Sequence, residues 1–281
     1  MSYGNGADST GLKGSSTVVK YDRTGKVLKT FSIRGNVDGL KFDPETGIIW
    51  ALQNQDGNST LTLIDPETGI ISGSPLSYAV KSSTRGYDDV AFLNGKIYLS
   101  YTNPTGPGDD TIQRLDNLDS PLRLSCVLQK GALGFNLATG VAKQATTQND
   151  PDSLSTTPFG LMLTSGDDGQ LIFVQAPGTP AQSVSFLQLI DSTGAAVSGL
   201  DDAVWTLTPK GTFFLSDTNN NRVLKIEVSN LLPSSLYASV GSLNTVGNVD
   251  LDTGTVTPFI TDVNGPHGLL FLPDFKSLFG K

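Results

Sequence analysis

The sequence predicts an all-β fold, a β-propeller of five blades, from three observations. The chain has 281 residues, of which 31 are glycine and 15 are proline, and this composition suits many short strands joined by tight turns. A hairpin-turn motif recurs along the chain, and a short-strand motif alternates with it. Repeats of about 40 to 60 residues made of four strands are typical of propeller blades.

The first motif has Asp followed by Thr-Gly, with one or two residues between Asp and Thr, and it lies between two apolar runs. Gly supplies the positive φ of a hairpin turn, and Asp or Asn caps the turn with its own side chain. Each copy therefore predicts a strand, a turn and a second strand. The seven residues DPETGII occur twice, at 43–49 and 65–71, and we expect them to be the inner and outer hairpin turns of one blade rather than a metal-binding loop. The other copies begin at Asp22, Asp191, Asp250 and, in relaxed form, Asn136.

The second motif is a short strand that opens on a polar residue followed by Gly or Asp. A turn and another strand follow each copy, so each copy predicts an inner hairpin. The five copies lie at 37–43, 87–93, 158–164, 201–208 and 266–272. Their spacing predicts insertions at 103–121 and 229–245.

The two ends of the chain are expected to close the propeller. The N-terminal outer hairpin at 16–33 would pair with a C-terminal inner hairpin at 266–279, and the two would complete one blade. This closure gives five blades within a single domain, 1–281. A sixth blade hidden in 103–157 is the alternative.

Composition excludes several classes of partner. The net charge of −8 makes nucleic acid an unfavourable partner and a cation a favourable one. With the single cysteine Cys126, the chain has no intrachain disulfide and no zinc–thiolate cluster. No apolar run approaches the roughly 18 residues of a membrane span. A surface rich in Ser, Thr, Asn and Gly suggests a periplasmic or secreted protein, and we expect a monomer that acts on a small molecule.

Aligned copies of the second motif predict a ring of acidic side chains. The innermost strands of a propeller run along its axis, so the residues at their starts meet at one mouth of the channel. Carboxylates this close repel one another unless a cation lies among them, and their oxygens suit Ca²⁺. The alternative is that each Asp caps a strand start. The first aligned position gives Asp38, Asp88, Phe159, Asp201 and His267, and the second gives Gly39, Asp89, Gly160, Asp202 and Gly268.

His267 is the only histidine in the chain, and its aligned position makes it a candidate metal ligand or general base. Asp38 and Asp89 are the other catalytic candidates. Phe159 and Tyr87 are candidates to line an apolar mouth around the ion, although such aromatic residues also suit a blade core.

The run SDTNNNR at 216–222 begins like a calcium loop, but Arg222 stands where that loop needs Gly, so a blade turn is predicted there.

Two sets of residues resemble known propellers. The stretch GTFFLSDTNNNRVLKIE resembles the strand–turn–strand unit of NHL-type propellers. The strand starts DGLKFD, DDVAF and PHGLLF resemble those of the superfamily that contains gluconolactonase and regucalcin, diisopropylfluorophosphatase and the paraoxonases. That resemblance implies a catalytic calcium in the central channel. From the aligned strand starts, we expect Asp38, Asp88, Asp201 and Asp202 to be its ligands. The superfamily usually has six blades and includes Glu and two Asn among its ligands, so this chain departs from its pattern.

The function expected from these residues is a calcium-dependent hydrolase of esters, lactones or phosphotriesters. The ion would polarise the carbonyl or phosphoryl oxygen, and an axial Asp or His267 would attack or activate water. One alternative is a non-catalytic propeller, secreted or periplasmic, that binds a small ligand or a protein partner. A glycosidase is a second alternative, although no Glu occupies the aligned ring to supply one of its paired carboxylates.

Overall fold

The computed structural model describes residues 1–22 and 24–274, and in this range the regular structure is almost entirely β. The chain divides into two compact units, Met1–Lys130 and Gly131–Lys281. Each unit contains three sheets, and each sheet is one blade. The chain is therefore a β-propeller with six blades, and the expected count of five is wrong. The expectation of a single domain stays a prediction.

The first unit contains blades 1, 2 and 3. Its strands are β1 (Ser2–Tyr3), β2 (Ser15–Tyr21), β3 (Val27–Arg34), β4 (Val37–Phe42), β5 (Ile49–Gln53), β6 (Thr60–Asp65), β7 (Gly69–Ile70), β8 (Leu76–Ser77), β9 (Tyr87–Leu93), β10 (Lys96–Tyr101), β11 (Asp110–Asn117) and β12 (Arg123–Gln129). Blade 1 has the order β1-β2-β3, blade 2 the order β4-β5-β6-β7 with β8 also on β6, and blade 3 the order β9-β10-β11-β12.

The second unit contains blades 4, 5 and 6. Its strands are β13 (Leu133–Asn136), β14 (Gln144–Ala145), β15 (Pro151–Thr157), β16 (Gly160–Ser165), β17 (Gln170–Gln175), β18 (Ser183–Gln188), β19 (Leu200–Thr206), β20 (Gly211–Asp217), β21 (Arg222–Val228), β22 (Ser235–Val240), β23 (Thr245–Val249), β24 (Val256–Ile260) and β25 (Pro266–Pro273). Blade 4 has the order β15-β16-β17-β18-β13-β14, blade 5 the order β19-β22-β23-β24, and blade 6 the order β25-β20-β21.

Two short 3-10 helices, Thr218–Asn220 and Gly241–Leu243, are the helices of the described residues. None of the residues in 1–22 and 24–274 forms a helix of the length and apolar character that a membrane crossing requires.

Apolar side chains that alternate along the strands fill the space between neighbouring blades of each unit. In the first unit, Trp50 and Leu52 of blade 2 belong to the same buried cluster as Val90 and Leu99 of blade 3. In the second unit, blades 4 and 5 share a buried cluster that contains Leu171, Leu187, Leu200, Leu236 and Val240. Each large apolar side chain buried in this way stabilises the fold by about 1.5 to 3 kcal/mol relative to exposure.

Both DPETGII copies lie in blade 2, as expected. The first copy forms the β4–β5 turn and the second the β6–β7 turn. Asp43 Oδ1 accepts a hydrogen bond from the Glu45 N–H at 2.9 Å, and Asp65 Oδ1 accepts one from the Glu67 N–H at 2.7 Å. The repeated sequence therefore specifies a repeated turn whose Asp caps its own backbone.

The blade count differs from expectation because the two chain ends lie in separate blades. The N-terminal hairpin of β2 and β3 pairs with β1 in blade 1. The C-terminal strand β25 pairs instead with β20 in blade 6. The sixth blade thus comes from the chain ends and not from 103–157. The other half of the expected C-terminal hairpin, at 276–279, lies outside the described residues.

The last two blades are interleaved along the chain. β19 pairs with β22 in blade 5, whereas β20 and β21 pair with β25 in blade 6. The expected hairpin between 201–208 and the strand after it is therefore wrong. The expected insertion at 229–245 contains β22, a central strand of blade 5, and the one at 103–121 contains β11 of blade 3.

Candidate functional site

A β-bulge lies near the start of the first strand in blades 2 to 6. In each of these blades, two successive pairs lie three residues apart on the first strand but only two residues apart on the neighbouring strand. Each first strand therefore carries one extra residue. A bulge bends the strand and re-aims its side chains, which is why bulges are frequent beside functional sites. The bulged pairs are Asp38 and Gly39, Asp88 and Asp89, Asp152 and Ser153, Asp201 and Asp202, and His267 and Gly268.

These bulges correct the sequence alignment in blade 4. The motif copy at 158–164 covers the β15–β16 turn and β16, the second strand of the blade. Phe159 lies in that turn with 72% of its surface exposed, so its alignment with the first strands is wrong. The equivalent residue is Asp152 on β15. Its signal in the sequence is the run PDSL, which has the polar residue two positions before an apolar one, as in VDGL and PHGL.

In the second unit, the bulges of blades 5 and 6 bring His267 and Asp201 together. β19 packs against β25, and the His267 Nδ1 lies 3.1 Å from the Asp201 Oδ1. The Asp201 side chain is only 9% exposed, whereas the imidazole is 56% exposed. Because a carboxylate accepts hydrogen bonds, Nδ1–H is the donor of this contact, and Nε2 of the neutral imidazole would keep its lone pair. This pair has the geometry of a general base held by a carboxylate.

Asp202 connects β19 to β25 by hydrogen bonds, next to the contact between Asp201 and His267. Its Oδ2 accepts a hydrogen bond from the Leu269 N–H at 2.6 Å, and its own N–H donates to the Ser239 Oγ at 2.9 Å. Asp202 therefore links β19 to β22 and to β25. This role matches the capping alternative for the aligned aspartates.

A buried carboxylate, Asp217, fixes the loop that leads into His267. Its oxygens accept hydrogen bonds from the Asn264 N–H at 2.8 Å, from Asn220 at 2.9 Å and from the Arg222 guanidinium at 2.6 Å. Burial opposes ionisation of this group, but these donors outweigh it and hold the pKa of Asp217 below its ordinary range. The run SDTNNNR is a blade turn, as expected, and it anchors residues 262–265 ahead of β25.

In the first unit, the aligned aspartates also have protein partners. Asp89 forms an ion pair with Lys41 at 2.9 Å, and its N–H donates to the Ser100 Oγ at 2.9 Å. Asp38 accepts hydrogen bonds from the Gln55 amide nitrogen at 2.8 and 3.0 Å, in the amide orientation that satisfies both groups. Asp88 is buried at the neighbouring bulge, 6% exposed. The roles predicted for these three aspartates stay predictions.

Tyr87 belongs to the packed interior of the first unit. It is 3% exposed, stacks on Tyr101 with ring centroids 4.9 Å apart, and donates its hydroxyl hydrogen bond to the Gln113 Oε1 at 2.6 Å. Burial raises the pKa of Tyr87. This placement matches the alternative that the aromatic residues are blade core.

The expected calcium ligands differ in their surroundings from a metal centre. Among residues 1–22 and 24–274, no three His, Cys, Asp or Glu side chains group closely enough to hold a metal ion. Asp89 and Asp202 are already held by Lys41 and by the Leu269 N–H. These residues therefore do not by themselves fit a calcium centre within either unit. Calcium binding stays a prediction.

The fold and the bulged strands define the class of protein: a six-bladed β-propeller in which the first strands of blades 2 to 6 carry Asp or His at equivalent positions. No family model matches the chain, and no curated protein matches it.

Solved structures do match. A putative 6-phosphogluconolactonase from Bacteroides uniformis aligns with a TM-score of 0.50 and 15% identity, over 95% of this chain and 83% of its own. The periplasmic gluconolactonase of Pseudomonas aeruginosa aligns with a TM-score of 0.42 and 13% identity, over 95% of this chain and 97% of its own. At 15% identity the first alignment shows the fold alone, which is the propeller fold that the sequence predicted.

Proposed function

We propose that this protein hydrolyses a lactone or a related ester, with His267 as the general base. The observation that carries the proposal is the 3.1 Å contact between His267 and the nearly buried Asp201, beside an imidazole that is half exposed. A carboxylate that orients an imidazole and stabilises its protonated form is a recurrent device of hydrolases.

The chemistry follows from this pair. Asp201 accepts the hydrogen bond of Nδ1–H and so keeps Nε2 ready to take a proton from water. The activated water attacks the carbonyl carbon of the lactone and forms a tetrahedral intermediate. As the ring C–O bond breaks, the imidazolium returns the proton to the departing oxygen, so the product is an open hydroxy acid. Asp201 stabilises the imidazolium between the two proton transfers.

The choice of lactones rests on one further support. The solved structure that aligns with a TM-score of 0.50 is described as a putative 6-phosphogluconolactonase. Lactones and simple esters need the same chemistry, namely water activation next to a carbonyl carbon. Dependence on calcium, activity on phosphotriesters and a periplasmic or secreted location stay predictions.

The proposal is tested with a panel of aldonolactones, aliphatic lactones, aryl esters and paraoxon, measured with and without chelator. We expect turnover of at least one lactone or ester, and a loss of about 10² to 10⁴-fold in kcat/KM for His267→Gln. Asp167→Asn is the matched control, because Asp167 lies in an exposed turn of the same unit, and it should keep full activity.

Two results would count against the proposal: no turnover of any substrate, or His267→Gln as active as the unmodified protein. The first result would favour the alternative of a binding propeller. The thermal unfolding temperature of each variant, measured in parallel, separates lost chemistry from lost folding.

A further inference from the structure

A cleft of about 310 Å³ lies within the first unit, between blades 1 and 2. Its volume is at the lower end of the range of small-molecule sites, roughly 300 to 1,000 Å³. Blade 1 contributes Ser32 and Arg34 on β3, and blade 2 contributes Gln53, Thr60 and Thr62. No step of the proposed hydrolysis uses these residues, since His267 and Asp201 belong to the second unit.

The base of the cleft is polar and fixed by hydrogen bonds. Gln53 donates from Nε2 to the Arg34 carbonyl at 2.6 Å and accepts from the Thr62 hydroxyl at 2.6 Å. Asn54 accepts at Oδ1 from the Asn36 N–H at 3.0 Å. Gln53, Asn54 and Thr62 are each no more than 6% exposed. Buried amides cost free energy unless they are hydrogen-bonded, so this network holds a preformed polar surface in place.

Three polar groups on the cleft walls remain available to a ligand. The Arg34 guanidinium and the hydroxyls of Ser32 and Thr60 make no side-chain hydrogen bond or ion pair with any part of the chain that the structure describes. Ser32 and Arg34 are two positions apart on β3, so they lie on one face of the strand. Ile70 and Pro75 add an apolar part to the same cleft.

We propose that this cleft binds a small anionic carbohydrate, a sugar carrying a carboxylate or a phosphate group. Arg34 would hold the anion through the paired N–H groups of its guanidinium, a geometry that matches both carboxylate and phosphate. Ser32 and Thr60 would bond to sugar hydroxyls, and the second N–H of the Gln53 amide is a further donor at the base. Ile70 and Pro75 would contact the apolar face of the sugar ring.

The test is titration calorimetry of the full chain with glucuronate, glucose 6-phosphate and glucose. We expect at least one anion to bind about tenfold or more tightly than glucose, because hydrogen bonds to a charged group are stronger than those to a neutral hydroxyl. The tighter of the two anions identifies the charged group that the site prefers.

Arg34→Gln should remove this advantage of the anion over glucose. Arg123→Gln is the matched control, because Arg123 is an exposed arginine on a strand of the same unit, and it should leave all three affinities unchanged. Thr60→Val keeps the charge of the site and loses one hydroxyl, so the anion should bind about two- to tenfold more weakly. Thermal unfolding of each variant confirms that it is folded.

Three outcomes would overturn the proposal. The first is that no anion binds, the second that glucose binds as tightly as both anions, and the third that Arg34→Gln and Arg123→Gln bind alike. Loss of the anion in Thr60→Val with no change in Arg34→Gln would also contradict it, since the guanidinium is its central group.

Discussion

Asp201 and Asp202 are adjacent in sequence, yet their carboxylates have different tasks. The Asp201 carboxylate contacts the half-exposed imidazole of His267. The Asp202 carboxylate accepts the Leu269 N–H and holds two strands together. Neighbouring side chains of a strand point to opposite sides, and the bulge at this point changes their directions further. The function of an aspartate here depends on its partner rather than on its residue type.

If Asp201 acts through His267, the effects of removing the two residues are not additive. We expect Asp201→Asn to lower kcat on the best lactone or ester by about 10²-fold or more, as an uncharged amide cannot hold the imidazole in its catalytic tautomer. In the His267→Gln background, Asp201→Asn should cost almost nothing further. Steady-state kinetics on both single variants and the double variant check this.

If the loss of kcat in the double variant equals the product of the losses in the two single variants, the two residues act independently. That result would contradict the proposal that Asp201 acts through His267. Asp202→Asn is an informative comparison, because Asp202 holds the backbone of β25. We expect this variant to lower the thermal unfolding temperature more than Asp201→Asn does.

At the residue scale, the sequence predicted the set of positions better than their contacts. Asp38, Asp88, Asp201 and His267 all lie at bulges, as their alignment required. Asp152 was missed, because Ser153 follows it where the other copies have Gly or Asp. The pairing of His267 with Asp201 depends on which strands adjoin, and spacing along one chain does not carry that information.

At the scale of single elements, the recurrent turns are built on an ionised aspartate. Asp22 accepts hydrogen bonds from the Thr24 hydroxyl at 2.6 Å and the Lys26 N–H at 3.0 Å. Asp191 does the same in the second unit, with the Thr193 hydroxyl at 2.7 Å and the Ala195 N–H at 3.0 Å. The threonine hydroxyl is the largest cause that holds the pKa of each Asp below its ordinary value of 3.8.

These turns should make the protein sensitive to acid. A carboxyl whose folded-state pKa is depressed stabilises the fold fully above its ordinary pKa, and the contribution is lost as the pH falls from 3.8 through the lower folded-state value. The double variant Asp22→Asn with Asp191→Asn keeps the turn acceptors but removes their titration. We expect its unfolding temperature to fall less steeply with pH in this range, as measured by calorimetry.

Asp252→Asn provides the control for this acid effect. The Asp252 side chain is exposed and accepts no hydrogen bond from the residues that the structure describes, so this variant should follow the unmodified protein at every pH. Equal slopes for all three proteins would show that the turns do not contribute to acid sensitivity.

The close approach of β4 and β9 gives a second prediction for an element. A Cβ atom at Gly39 would lie 2.0 Å from the Asp88 carbonyl oxygen, so Gly39→Ala forces the two strands apart. We expect a loss of about 1 to 3 kcal/mol or more in unfolding free energy. Gly106→Ala, with nothing within 4 Å of its new methyl group, is the matched control. Equal stability of the two variants in urea unfolding would contradict this account.

At the scale of the whole molecule, the sequence predicted the propeller but not its blade count. The turn motifs and alternating strands are local signals, and most of them lie where expected. Which strand pairs with which is a non-local property. From the sequence we expected β19 to pair with β20 in a hairpin, and the two chain ends to pair with each other. The structure instead pairs β19 with β22 and β20 with β25.

Calcium binding is the prediction that is tested on the whole molecule. An ion bound only by the folded state stabilises that state by mass action. If the prediction is correct, exhaustive chelation lowers the thermal unfolding temperature and added Ca²⁺ restores it. An unchanged temperature after chelation, with Mg²⁺ addition as the control for ionic strength, would contradict it.

The interleaving of blades 5 and 6 has a consequence for how such a chain can evolve. Blades 2 and 3 each come from one uninterrupted stretch, so an in-frame duplication or deletion of that stretch transfers a complete blade. Between Leu200 and Pro273 the strands of two blades alternate, and any gene fragment that starts or ends inside this range carries part of both. Recombination breakpoints should therefore be tolerated between blades 2 and 3, while the last two blades are inherited together.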